Sequence, residues 1–197
     1  MTSQLQFNSS SVAAILKLIL TLIIGLLILN LCFAPYQIQG NSMWPTLQPG
    51  QYILVSKIDY WQYDRNWWQT WSGQEVLPDQ QFAFTGPQHG DLVVIKAPFG
   101  QTEDYIKRVV ALPGDHLKIS QGRVYLNDQI VNEPYVKAIP NYDLSLQVVP
   151  AGTIFVLGDN RPISYDSHTW GYLPYSAIIG KVVIRYYPNP VFLRANL

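Results

Sequence analysis

Cysteine is nearly absent from this chain of 197 residues, and its single example, Cys32, excludes any disulfide within the chain. Charge is scarce and balanced, 13 basic against 13 acidic residues, which removes the electrostatic footprint of a nucleic-acid partner. Past residue 35 no stretch has the length and period of an amphipathic helix, and no internal repeat or low-complexity linker divides the chain. Histidine is limited to three positions, none of them a good catalytic base: His89 and His116 sit in turn-like settings, and His168 lies in a loop where it reads as support. The length allows one membrane anchor and one globular domain of ordinary size.

What is present first is an apolar run. From Val12 to Ala34 only Lys17, Thr21, Gly25 and Asn30 interrupt it, and a bilayer needs roughly 20 such residues. We read residues 1–11 as a tail, 12–34 as a transmembrane helix and 35–197 as one compact domain. A cleaved leader fits less well, because residues 1–11 carry no Lys or Arg and Pro35 follows the tempting Cys32-Phe33-Ala34 junction. A lipoprotein anchor is equally poor, since bulky Leu31 precedes Cys32. Lys17 and the terminal amine weakly favour an N-terminus on the cytoplasmic side.

After the anchor the apolar runs shorten to strand length, at Tyr52–Val55, Leu92–Ile95, Tyr105–Leu112, His116–Ile119, Val124–Leu126, Thr153–Leu157 and Lys181–Tyr187. Between them lie turns such as Pro113-Gly114-Asp115 and Pro150-Ala151-Gly152, where proline presets φ and glycine admits positive φ. The domain is therefore expected to be mostly β. The least regular part, about residues 59–88, holds four of the six tryptophans: Trp61, Trp67, Trp68 and Trp71. It reads either as a small aromatic core or as a surface resting at the bilayer interface, where tryptophan is favoured.

Three segments carry chemistry. Gly40-Asn41-Ser42-Met43-Trp44-Pro45-Thr46-Leu47 places a serine between a permissive backbone and a proline, just after the anchor. A serine hydroxyl needs a base, and Lys107, inside the apolar run Tyr105–Leu112, is a candidate because burial pulls a lysine toward neutrality. Taken alone, Ser42 also reads as a turn residue and Lys107 as an outward strand residue. The third segment is Gly158-Asp159-Asn160-Arg161-Pro162-Ile163-Ser164-Tyr165-Asp166-Ser167-His168-Thr169-Trp170-Gly171.

Together these segments resemble the boxes of the type I signal peptidases, membrane-bound serine proteases that remove signal peptides. Ser164–Gly171 points toward the cyanobacterial and thylakoid branch. The resemblance implies a β-rich catalytic domain behind a single N-terminal transmembrane helix, lying in the periplasm or thylakoid lumen. It further implies Ser42 as nucleophile, Lys107 as general base and Ser164 as the hydroxyl that orients the lysine. Asp166 and His168 would support the site, and Gly158, Asp159, Asn160 and Arg161 would shape the loop that holds Ser164.

The Ser42 N–H would serve the oxyanion. Some members add a hydroxyl where this chain has Gly40. Many bacterial members have arginine at position 168, so His168 would make that support pH-dependent. Pro162-Ile163 replaces more polar residues. An extended preprotein would pair along Asp104, Tyr105 and Ile106, with pockets for small side chains lined by Tyr36, Ile38, Met43, Leu47 and Ile106. Each of these also reads simply as core. No metal or cofactor is implied; the partners implied are preproteins and the lipid bilayer.

Two rivals remain. Self-cleaving repressors share a Ser/Lys dyad but would need a DNA-binding domain where the anchor stands. A non-catalytic, membrane-anchored β module that binds exported chains would have no reason to keep Ser42, Lys107 and Ser164 together.

Overall fold

A computed structural model describes residues 9–64, 80–98, 100 and 102–193. Helix α1, Ser9–Cys32, holds the apolar run, and the side chains of its apolar part lie outside any core. Its apolar part, Val12–Cys32, is long enough to cross a bilayer. The helix ends two residues earlier than the sequence suggests. Phe33 and Ala34 already belong to strand β1, Phe33–Gln37, where they pair with Ser56 and Val55 of β2, Tyr52–Ser56. Pro35 cannot supply the N–H that would continue the helix, and it disfavours helical geometry in the residue before it. In β1, the first strand in the order of its sheet, proline is tolerated. Lys57 closes the helix end, its N–H donating to the Cys32 carbonyl (2.8 Å) and its ammonium to the Asn30 carbonyl (3.1 Å).

The remaining strands follow in chain order: β3 Gln62–Asp64, β4 Gln80–Phe82, β5 Leu92–Lys96, β6 Asp104–Ala111, β7 His116–Ser120, β8 Arg123–Leu126, β9 Gln129–Ile130, β10 Leu144–Val148, β11 Thr153–Leu157, β12 Leu173–Pro174, β13 Ile178–Tyr187 and β14 Val191–Phe192. A one-turn helix, α2, spans Ser167–Trp170. The main sheet runs β1-β2-β13-β5-β6-β11-β12, with β14 also on β13; a smaller sheet runs β10-β7-β8-β9, and β3 pairs with β4. Every recorded pairing is antiparallel. Each expected strand is present within a few residues, while β1, β3, β4, β9, β10, β12 and β14 were not among them.

Two-residue alternation sorts the core. On β5, Leu92 and Val94 pack with Ile38, Met43, Leu47, Ile53 and Val55 on one face, whereas Val93 and Ile95 pack with Val109, Ile154 and Val156 on the other. A third cluster joins the main sheet to the smaller one through Val110, Leu117, Val124, Phe155 and Leu157. At Gly180 a Cβ would lie 2.4 Å from the Ser56 carbonyl, so β13 approaches β2 only because that residue is glycine.

The tryptophan-rich excursion is described at its two ends. Tyr60 is buried, donates to the buried Asp91 carboxylate and packs with Phe82, which in turn stands edge-on to Tyr175. Trp61 and Phe84 point outward, 62% and 60% exposed. The ends thus combine a small aromatic core with an exposed aromatic surface. Trp67, Trp68 and Trp71 lie outside the described residues.

Candidate active site

Strand alternation on β6 gives neighbouring residues opposite duties. Lys107 turns one way, and its Nζ donates to Ser164 Oγ at 3.1 Å. Arg108 turns the other way and forms a two-pronged pair with Asp159, Nε to Oδ1 at 2.8 Å and Nη2 to Oδ2 at 2.7 Å. Asp159 Oδ2 also accepts from Thr46 Oγ1. One buried carboxylate therefore ties the Ser42 turn to β6 from behind.

Lys107 is 2% exposed. Loss of solvent pulls its pKa down from 10.5 to about 8, against the opposing pull of Asp166 and Asp159. A substantial neutral fraction near physiological pH is what a lysine base requires.

Ser42 is half-buried at the start of a tight turn in which the Leu47 N–H donates to the Met43 carbonyl at 2.9 Å. Its own carbonyl accepts the Asn160 N–H at 2.9 Å, and the Asn160 side-chain amide reaches the Asn41 carbonyl at 3.1 Å. The loop after β11 thus holds the Ser42 segment by main chain and side chain together. Gly158 is the plate between them: a Cβ there would lie 2.2 Å from Ser164 Oγ and 2.6 Å from the Ser42 carbonyl oxygen.

Asp166 is fully buried and fully used. One oxygen accepts the Gly158 N–H at 2.8 Å, and the other accepts the His168 N–H at 3.3 Å while facing His168 Nδ1 at 2.7 Å. It caps α2 and fixes the end of the loop on which Ser164 sits.

A cleft of about 520 Å³ opens over these groups. Tyr36, Gln37, Ile38, Gln39, Gly40, Asn41, Ser42 and Met43 line one wall, Glu103, Asp104, Tyr105, Ile106 and Lys107 the other, with Val94, Ile163 and Tyr165 completing it. At its far end the Tyr36 hydroxyl donates to Asp104 Oδ2 at 3.1 Å, and burial with that carboxylate raises the phenol to about 12. The structure therefore brings Ser42, Lys107, Ser164 and most of the expected lining residues to one place.

Leu47 is the correction. It is wholly buried in the core with Ile53 and Val55 and does not face the cleft, because its position in the turn directs it into the sheet. Sequence reasoning missed Thr46, the ion-pairing role of Arg108 and, behind the loop, Glu133, Tyr135 and Tyr142. Glu133 binds the 1% exposed Arg161 through both carboxylate oxygens. A buried arginine requires a counter-ion, but nothing local in the sequence marks one 28 residues away.

The profile of the family described as "Signal peptidase, peptidase S26" matches residues 11–187. The chain belongs to this signal peptidase family. Probable signal peptidase I-1 of Synechocystis sp. is 34% identical over 87% of this chain and 80% of its own length. Signal peptidase I of Leptolyngbya laminosa is 35% identical over 77% of this chain and 67% of its own. Thylakoidal processing peptidase 1 of Arabidopsis thaliana is 33% identical over 78% of this chain, which spans 42% of that relative. The resemblance seen in the three segments, including the cyanobacterial and thylakoidal branch, thus holds over most of the chain. The signal peptidase fold here is mostly β behind one apolar helix, and the reading as a non-catalytic binding module is not favoured.

Proposed function

We propose that the chain removes N-terminal signal peptides from exported preproteins by a Ser/Lys mechanism. Ser42 Oγ attacks the scissile carbonyl while neutral Lys107 Nζ takes its proton, then returns a proton to the leaving amine. Water attacks the resulting acyl-enzyme with Lys107 again as base, releasing the signal peptide and restoring Ser42. Ser164 holds the Lys107 amine by the 3.1 Å hydrogen bond, and the Ser42 N–H serves the developing oxyanion. The observation that carries this reading is Lys107 itself: buried, lowered to about 8 and directed at Ser164.

The preprotein lies extended along Asp104–Ile106 with alternate small side chains turned toward Ile38, Met43 and Ile106, and Tyr36 with Asp104 bounds the cleft. Helix α1 spans the bilayer with the N-terminus on the cytoplasmic side and the catalytic domain in the periplasm or lumen, where exported chains emerge. Cleavage of a preprotein bearing Ala-x-Ala before the cut, by the full chain in proteoliposomes, tests the proposal. Product with wild type and none with Ser42→Ala is expected; equal product from both would refute it.

A further inference from the structure

The segment linking β9 to β10, residues 131–143, belongs to the smaller sheet yet touches the catalytic loop and the base strand in three places. Glu133 grips Arg161. The Tyr135 ring lies 3.8 Å from the centre of the Arg108 guanidinium. The Tyr142 ring stacks on His168 at 4.1 Å with the planes 5° apart. These contacts reach the residue beside the general base and both arms of the loop that carries Ser164.

We propose that this segment is a positioning clamp for the catalytic groups, with Glu133 as its fixing point. Arg161 donates from Nε to the Gly158 carbonyl at 3.1 Å, while its two terminal nitrogens are taken by Glu133. The Gly158 peptide is the surface against which the Ser164 side chain and Ser42 carbonyl are pressed. Glu133 thus acts on the two serines through Arg161 and Gly158 without touching substrate. Its Oε1 also accepts from the Tyr135 hydroxyl at 3.1 Å, joining two of the three contacts.

Without the Glu133 charge, buried Arg161 must find another anion, and the buried carboxylates of the same loop are Asp159 and Asp166. The charge of each favours the protonated form of Lys107; Arg108 engages the first, His168 the second, and the Tyr105 ring lies 5.3 Å from Nζ. Drawing either carboxylate toward Arg161 makes Lys107 lose its proton at lower pH. A clamp therefore leaves a mark on the pH profile that simple loss of stability does not.

The inference rests on the proposed Ser42/Lys107 chemistry. The test compares full-length Glu133→Gln with wild type in detergent, following preprotein cleavage against pH and the melting temperature. Expected for Glu133→Gln, assayed below its melting temperature, is a kcat loss of roughly 100-fold with KM within about twofold and the rising limb of the pH profile moved to lower pH. Wild-type kcat, a loss carried by KM alone, or an unmoved limb would overturn it. Should Glu133→Gln not fold, Tyr135→Phe, which keeps the ring over Arg108, and Glu133→Asp are expected to lose about three- to tenfold in kcat. Wild-type kcat in both would equally overturn it. Burst acylation of Ser42 by p-nitrophenyl acetate separates the two readings. Wild-type acylation without preprotein cleavage rejects the substrate assignment, and the same burst rate in Glu133→Gln rejects the clamp.

Discussion

Lys107 Nζ and Ser164 Oγ stand 3.1 Å apart with both side chains buried, so the lysine has a fixed direction as well as a lowered proton affinity. A neutral amine can donate to Ser164 and still keep its lone pair for Ser42. We predict that Ser42→Ala and Lys107→Ala each abolish preprotein cleavage in a folded protein, and that Lys107→Arg fails too, because guanidinium keeps its proton. Ser164→Ala should cost on the order of 10²-fold in kcat, in line with loss of one positioned donor or acceptor. Near wild-type turnover by Lys107→Ala would assign the base elsewhere.

The lowered affinity of Lys107 predicts a rate that rises with pH and levels off above about 8. Stability should follow the same group. Between about 8 and 10.5 the unfolded chain holds a proton that the folded chain has released, so the Lys107 contribution to stability increases with pH across that window. Below it, burying the charge costs on the order of 3 kcal/mol. Lys107→Met should therefore raise the melting temperature at pH 7 and lose this advantage near pH 10.5. A melting temperature that falls at pH 7 would contradict a desolvated lysine.

Two glycines predict opposite outcomes. Gly158→Ala forces a Cβ to within 2.2 Å of Ser164 Oγ and should reduce kcat by at least about 10²-fold, a displacement effect of the kind expected when reacting groups shift by an ångström. Gly40 has no atom within 4 Å of an added Cβ and lines the cleft beside Ser42. Gly40→Ser has room to offer a second oxyanion donor and should raise kcat on the order of tenfold. Steady-state kinetics on one preprotein reads both.

At the base of the tryptophan-rich excursion the inward and outward rings should separate by assay. Tyr60→Ala removes a buried ring and one of the hydrogen-bond donors to Asp91, and should lower the melting temperature strongly. Replacing Trp61 and Phe84 by Ser should leave it unchanged and slow cleavage of membrane-inserted preprotein more than cleavage of a short soluble peptide. Equal slowing of both substrates would assign those rings to folding or to the cleft.

Sequence disclosed the strands well where a short apolar run or alternation was bounded by proline and glycine, as at β5, β7 and β11. It disclosed Lys107 because a charge inside an apolar run is conspicuous. It concealed β1 because Phe33 and Ala34 suit a membrane helix and a strand alike, and only pairing with β2 decides between them. β10 was concealed because Leu146 is exposed and the alternation of that strand is weak. Leu47 showed the limit of reading burial near a nucleophile: an apolar residue facing a cleft and one facing the core have the same letter. The pairing of Glu133 with Arg161 was beyond reach for another reason, since a counter-ion is specified by the meeting of two sheets rather than by any local pattern.

The direct passage of α1 into β1, with Lys57 holding the last carbonyls of the helix, leaves no slack between the two. Ser42 follows Cys32 by ten residue steps, a span that even fully extended could not exceed about 36 Å. With α1 in the bilayer, that short tether acts as a ruler. A preprotein would be cut at a set distance from the lipid, and side chains before the cut would choose only among the bonds that this distance brings within reach.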